Sequence, residues 1–214
     1  MNIAALIPFR PVNPKIRLSP VLSQDEREDF ARAMISDVVA CVKDAGCKPV
    51  LLSTSAFSFD DAAVEVRVVA EGLNEALNHA LPKCSAPVLI IMSDLPLVRG
   101  ADVCRLLETK EDMAIVPGLG GGTNIIFVKD PARYHVQYYG YSFARHLEIA
   151  KECGLSVEIV DSMRMSADVD EPGDLVELLI HGTGFSRAWL DAHDFSLSIE
   201  SGRLKIVRGG KVIV

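Results

Sequence analysis

The stretch APVLIIMSDLPLV, residues 86–98, runs Val88, Leu89, Ile90 and Ile91 together, then stops at Ser93 and Asp94 with Pro96 just beyond. A continuous apolar run bounded by turn residues suits a central strand buried on both faces of a sheet. On either side of it, strand-like and helix-like segments alternate, the pattern of a mainly parallel sheet covered by helices. IAALIPF (3–9), KPVLLST (48–54) and VEVRVVA (64–70) read as strands before it; DMAIVPG (112–118), TNIIFV (123–128) and SVEIVDS (156–162) read as strands after it.

Helix signals fall between these runs. Ser23 opens SQDEREDFARAMISDVVACVKDAG as an N-cap with Glu26 three residues on, a capping box, and Gly46 suits the C′ position. Phe30, Met34, Val38 and Cys41/Val42 supply its buried stripe. GLNEALNHAL (72–81), GADVCRLLET (100–109), SFARHLEIAKECG (142–154) and EPGDLVELLIHG (171–182) follow as helices, the last with Pro172 near its first turn. The tail FSLSIESGRLKIVRGGKVIV (195–214) alternates apolar and polar residues around Gly202 and Gly209–Gly210, as a hairpin or meander does. The expectation is a single domain over 1–214, with a core at about 1–183 and a C-terminal extension at about 184–214.

The 214 residues, 49% hydrophobic, are ample for one α/β core. Asn2 to Phe9 lacks a basic leader and no apolar run approaches a membrane span, so a soluble cytoplasmic protein with no membrane partner is expected. Five scattered cysteines without CxxC spacing suggest neither disulfides nor zinc and are read as reduced and mostly buried. A net charge of −7 argues against a general nucleic-acid binder, and an anionic ligand then needs a local basic patch.

In open α/β sheets ligands bind beyond the carboxyl ends of the strands, where Asp94 sits. Asp168 and Asp170, two apart in SADVDEPGDL (166–175), would project to one side of an extended segment. With Asp94 they make a hard-cation set of the kind Mg²⁺ shares with water and substrate phosphate. Arg10, Lys15 and Arg17 in PFRPVNPKIRLSP (8–20) offer cations for a triphosphate, and the prolines restrain that loop. Neither GxxxxGK[ST] nor GxGxxG occurs, which argues against a P-loop ATPase and a Rossmann dehydrogenase. Turn-capping aspartates and a solvated basic loop are the plainer readings of the same residues.

The segments LIPFRPVNPKIRLSPVLSQDER, EGLNEALNHAL, SDLPLV, GGTNIIFV, YGYSFARHLEIAKECG and DVDEPGDL together resemble the 2-phospho-L-lactate guanylyltransferase family of coenzyme F-420 biosynthesis, over about residues 1–180. Arg10 stands where a Lys is common in that family, and YYGYS (138–142) replaces a version richer in glycine and proline. The resemblance implies a three-layer, mainly parallel mixed sheet of the nucleotide-diphospho-sugar transferase type (GT-A-like), here with a C-terminal β-hairpin appendage. It implies GTP as donor and 2-phospho-L-lactate, or in some members phosphoenolpyruvate, as acceptor. The products are pyrophosphate and lactyl-2-diphospho-5′-guanosine.

By the same resemblance Asp94, Asp168 and Asp170 hold one or two Mg²⁺ ions, with Mn²⁺ as a substitute. Lys15, with Arg10 and Arg17, offsets charge on the departing phosphates. Gly72 and Asn74 fall at nucleotide-binding positions, though both also suit a helix start. Thr123, Asn124, Gly140 and Ser142 fall at the acceptor, with GLGGG (118–122) as an anion nest or a plain turn and Ser142 as an N-cap. His146 reads as a partly buried structural residue, and Trp189 as core or interface. A GT-A-type glycosyltransferase using Asp168-Val169-Asp170 and a non-catalytic nucleotide sensor are the competing readings. The tail's strand edge suggests a homodimer, against which a light-scattering mass of one chain would count.

Overall fold

The computed structural model describes residues 3–200 and 202–213. Its strands are β1 (Ala4–Phe9), β2 (Lys48–Ser53), β3 (Glu65–Val68), β4 (Val88–Ile91), β5 (Met113–Pro117), β6 (Thr123–Val128), β7 (Val157–Ile159), β8 (Phe195–Glu200), β9 (Arg203–Arg208) and β10 (Lys211–Val212). Its helices are α1 (Gln24–Asp44), α2 (Leu73–Ala80), α3 (Gly100–Leu107), α4 (Ser142–Glu152), α5 (Met163–Ser166), α6 (Leu175–His181) and α7 (Phe185–Ala192).

The first seven strands form one sheet in the order β3-β2-β1-β4-β6-β5-β7, which puts the apolar run of β4 at its centre. All four β4 residues are fully buried. Each contributes roughly 2 kcal/mol by leaving water. Strand β6 is antiparallel to β4 and β5, whereas the other neighbours pair in parallel. Alternate strand residues enter two separate cores. Ala5, Ile7, Phe9, Leu89 and Ile91 pack with α1, α3, α6 and α7 on one face. Leu6, Val50, Leu52, Val88 and Ile90 pack with α2 and α4 on the other. The period-two alternation of a strand thus builds three layers from one sheet.

Helix α1 begins and ends as its sequence dictates. Ser23 and Glu26 form the reciprocal capping box, and Gly46, at φ 75°, takes the left-handed turn after the helix. Helix α7, which the sequence reading did not identify, is capped from elsewhere in the chain. The Asp37 carboxylate on α1 accepts from the Phe185 N–H (2.6 Å), the Ser186 N–H (3.0 Å) and the Ser186 hydroxyl. Trp189 on α7 then packs on Phe30, with ring centroids 5.0 Å apart.

The tail forms a second, antiparallel sheet in the order β10-β9-β8; its Ser201 and Val214 lie outside the described residues. It docks on the core through Phe195 and Ile206, and through an ion pair from Arg208 to Glu26. The cysteines are free thiols, but only Cys41 and Cys47 are buried; Cys84 and Cys153 are half-buried and Cys104 is exposed, so the expectation of mostly buried thiols is corrected. On α3 the buried positions are taken by Val103 and Leu106, which leaves Cys104 on the exposed face. Among the described residues no helix is long and apolar enough to cross a membrane.

Candidate active site

Chain order reverses around β1: β2 and β3 lie on one side of it and β4 on the other, which opens a crevice at the carboxyl ends of β1 and β4. Arg10 follows β1 there, and Ser93 and Asp94 follow β4. Because β6 runs the opposite way, its first residues reach the same edge, where Asn124 O accepts from the Met92 N–H (3.0 Å). The segment bearing Asp168 and Asp170 is fastened alongside by a Val169 N–H bond to Asp94 O (3.0 Å).

The loop after β1 is held in a strained shape by a buried cation. Arg27 on α1 donates to Pro14 O (3.1 Å), Leu22 O (3.3 Å) and Asn13 Oδ1 (2.6 Å), while the Asn13 N–H donates to Glu28 Oε1 (2.9 Å). Asn13 (φ 48°) and Lys15 (φ 49°) are both left-handed, a conformation that side-chain-bearing residues adopt at a cost and mainly where surroundings impose it. Lys15 is thereby turned inward. Its ammonium donates to Asp94 Oδ2 and to Asp170 Oδ1 (2.7 Å), and Arg17 Nη2 donates to Asp170 Oδ2 (2.8 Å). Arg27 was missed in the sequence, although it shares the buried face of α1 with Phe30, Ala31 and Met34. A basic residue on that stripe was the available signal.

Burial opposes the charge on Lys15, but the charges of Asp94 and Asp170 outweigh it and raise its pKa above the ordinary lysine value. For Asp170 burial likewise opposes ionisation, and Lys15, then Arg17, hold its carboxyl below the usual range. Asp168 behaves oppositely. Burial and then the negative charge of Asp94 push it up, only partly offset by the hydrogen bond from Asn124 Nδ2 (3.3 Å). Asp168 and Asp170 therefore bind different partners, and among the described residues no three acids, histidines or cysteines gather as a metal-holding group. The Lys15 ammonium already stands between two of the three carboxylates. The donor set nevertheless fits a hard cation: Asp94 Oδ1 is buried without a hydrogen-bond partner among the described residues, and Asp168 sits beside the negative charge of Asp94.

A cavity of about 590 Å³ extends from this cluster across the strand ends toward β3. Arg10, Lys15, Ser93 and Asp94 line its charged side, and Leu52, Val69, Ala70, Leu73 and Ala76, with the carboxylate of Glu71 among them, line its more apolar side. Three strand spacings separate β4 from β3, about 14 Å, enough for an extended nucleotide. A smaller hollow bounded by Arg10, Asn13, Lys15, Arg17 and Asp170 adjoins the charged side. Gly72 lines the cavity as the N-cap of α2.

The structure gives several expected ligand residues other partners. Asn74, expected at the nucleotide, turns its amide away to accept from the Tyr138 N–H (2.6 Å) and donate to Tyr138 O (3.3 Å). Thr123 and Ser142, expected at the acceptor, are buried; the Ser142 hydroxyl donates to Thr123 Oγ1 (3.2 Å). Ser142 does not cap α4, because its hydroxyl is used in that bond; Tyr141 occupies the N-cap position. Asn124 does reach the carboxylates through Asp168 and also donates to Met165 O (3.1 Å). Gly140, at φ 64°, turns the chain between Tyr139 and α4. In the glycine loop, the Gly118, Leu119 and Gly121 N–H groups are engaged by Gly122 O, Ser166 O and Gly118 O, which leaves less of an anion nest than the composition suggested.

His146 is the hub behind this wall. Its Nε2 accepts from the Gln137 N–H (3.0 Å), so Nδ1 carries the proton and donates to Thr123 Oγ1 (2.9 Å). Burial, then the nearby His135, lowers its pKa to about 4. Between that value and the ordinary 6.5 the unfolded chain binds a proton that the native state does not. The neutral form's stabilisation is thus complete above about pH 6.5 and is lost as pH falls toward 4, by roughly 3 kcal/mol. Chemical denaturation at pH 8 and pH 5 should show about 2 kcal/mol of this loss in the native protein and a smaller loss in His146→Gln. An equal loss in both would remove His146 as its source.

The family model described as guanylyl transferase CofC like matches residues 3–208. A 2-phospho-L-lactate guanylyltransferase of Methanocorpusculum labreanum is 62% identical over 214 residues, covering 100% of both chains. One of Methanoculleus marisnigri is 54% identical over 97% of each. Among solved structures, a chain described as a nucleotide-diphospho-sugar transferase, from Desulfovibrio desulfuricans G20, superposes with a TM-score of 0.71 at 19% identity, covering 91% of this chain and 96% of that one. That likeness concerns the fold.

Proposed function

The chain belongs to the guanylyl transferase CofC-like family and is a nucleotidyltransferase, and we propose that it joins the GMP moiety of GTP to 2-phospho-L-lactate with release of pyrophosphate, a step of coenzyme F-420 biosynthesis. The observation that carries this reading is the Lys15 bridge between Asp94 and Asp170 at the charged side of a nucleotide-sized cavity. The acceptor's phosphate monoester, with a second pKa of about 6, is already largely ionised at neutral pH and needs no general base. Consistently, His146 is buried and both its ring nitrogens are engaged.

One acceptor phosphate oxygen attacks the α-phosphorus of GTP and forms the new P–O bond. The bond from the α-phosphorus to the bridging oxygen breaks, and pyrophosphate leaves with that electron pair. Neither reactant supplies positive charge, so alignment and neutralisation are the catalytic task. Lys15 and Arg17 face the side on which pyrophosphate departs, with Arg10 between the two hollows. The strained loop fixes the Lys15 main chain beside the carboxylates before substrate arrives, so that only its side chain has to turn from them to the phosphates. Asp94, Asp168 and Asp170 would hold Mg²⁺, with Mn²⁺ as substitute; when bound, the ion supplies Lewis-acid charge to the phosphoryl oxygens. Asn124 keeps Asp168 oriented toward Asp94.

The test is pyrophosphate release from GTP and Mg²⁺ with 2-phospho-L-lactate, with phosphoenolpyruvate, and with neither. Release that depends on 2-phospho-L-lactate is the expected result. Dependence on phosphoenolpyruvate alone would move the acceptor, and no release with either would overturn the assignment.

A further inference from the structure

The chain between β6 and α4 alternates in burial without being part of the sheet. Tyr134, Val136 and Tyr138 are buried, and His135, Gln137 and Tyr139 are exposed. Side chains replace the missing neighbour strand. Asn78 accepts from the Val136 N–H (2.8 Å) and donates to Val136 O (3.0 Å), as Asn74 does at Tyr138, while His146 takes the intervening Gln137 N–H. Two carboxamides one helical turn apart on α2 thus act as peptide groups and fasten this segment beside the cavity.

At the end of the fastened segment, Tyr139 is forced to φ 82°, and its ring, 74% exposed, lines the apolar side of the cavity. A bulky residue in the left-handed region is a true outlier, and at the cavity its ring offers a flat face on which a planar ligand can stack. Leu73 and Ala76, on the helix that carries both clamps, line the same cavity as Tyr139, and that cavity reaches Lys15 and Asp94. A nucleotide with its phosphates at Lys15 brings its base there.

Building on the guanylyl-transfer reading, we propose that Tyr139 is the face on which the nucleotide base stacks, and that Asn74 and Asn78 position it. Base–aromatic stacking is removed by truncation at a cost of roughly tenfold or more in affinity. Tyr139→Gly keeps the left-handed backbone without the ring and Tyr139→Phe keeps the ring, so the pair separates stacking from backbone shape.

The experiment measures binding of GTP and of inorganic triphosphate, which has no base, by calorimetry in the wild type and both variants, together with KM and kcat for pyrophosphate release. The expected result is GTP binding and KM about tenfold weaker in Tyr139→Gly, near-normal values in Tyr139→Phe, and triphosphate binding unchanged in all. Wild-type GTP affinity in Tyr139→Gly, or an equal weakening toward triphosphate, would overturn the proposal. A wild-type protein that binds GTP yet releases no pyrophosphate counts against guanylyl transfer, and the calorimetric comparison still decides Tyr139.

Discussion

Asp94→Asn is expected to lower kcat for pyrophosphate release on the order of a thousandfold, equivalent to about 4 kcal/mol of transition-state stabilisation. The substitution keeps the shape of the side chain and removes its charge. Asp94 Oδ2 faces the Lys15 ammonium, and Oδ1 is buried without a hydrogen-bond partner among the described residues, which leaves it open to a cation. An amide presents one neutral oxygen and one N–H₂ group, which points at either the ammonium or the place of the ion. The main-chain bond from Val169 to Asp94 O is untouched, and the fold should survive. Steady-state kinetics with a thermal melt by circular dichroism make the check. Activity within tenfold of the wild type would remove Asp94 from the catalytic centre, and a collapse of the melting transition would assign the loss to folding.

Lys15→Met is expected to have the second-largest effect, on the order of a hundredfold in kcat/KM, equivalent to about 3 kcal/mol. Its distinguishing consequence appears without substrate. Removing the ammonium leaves Asp94 and Asp170 facing each other, each less than a third exposed, and destabilises the fold by roughly 2 kcal/mol after allowance for solvent screening. Magnesium should restore part of that loss and bind the nucleotide-free variant more tightly than it binds the wild type, because the competing cation has gone. Melting temperatures with Mg²⁺ and with chelator, and calorimetric titration of Mg²⁺ into both proteins, read this directly. A variant as stable as the wild type and no more responsive to Mg²⁺ would refute the view that Lys15 holds a cation's place.

Local and periodic features were legible in the residues. The run Val88–Ile91 implied a central strand, and it lies fourth of seven and fully buried. Ser23, Glu26 and Gly46 marked the ends of α1, and the alternation around Gly202 implied the tail hairpin. These features depend on neighbours a few residues away, which one sequence displays. Order and accompaniment of the motifs carried the family, because short pieces such as SDLP and DVDEPGDL recur together only under a shared architecture.

Pairings between residues distant in the chain were set by folding. Asn74 has the chemistry of a nucleotide ligand, yet its amide accepts from and donates to the Tyr138 main chain; Thr123 and Ser142 have the chemistry of acceptor ligands, yet they bond each other and Thr123 also takes the proton of His146 Nδ1. Helix α7 went unread because its cap, Asp37, lies on α1. Lys15 was recognisable as a cation for phosphates, but its place between Asp94 and Asp170 follows from a left-handed turn held by Arg27. Most of the elements, their layering and the charged residues available for chemistry were readable from the chain, because periodicity and local capping act over a few residues. Which polar groups remain available for a ligand was decided by folding, because a hydrogen-bonding group satisfied by a partner far along the chain is indistinguishable in sequence from one left open.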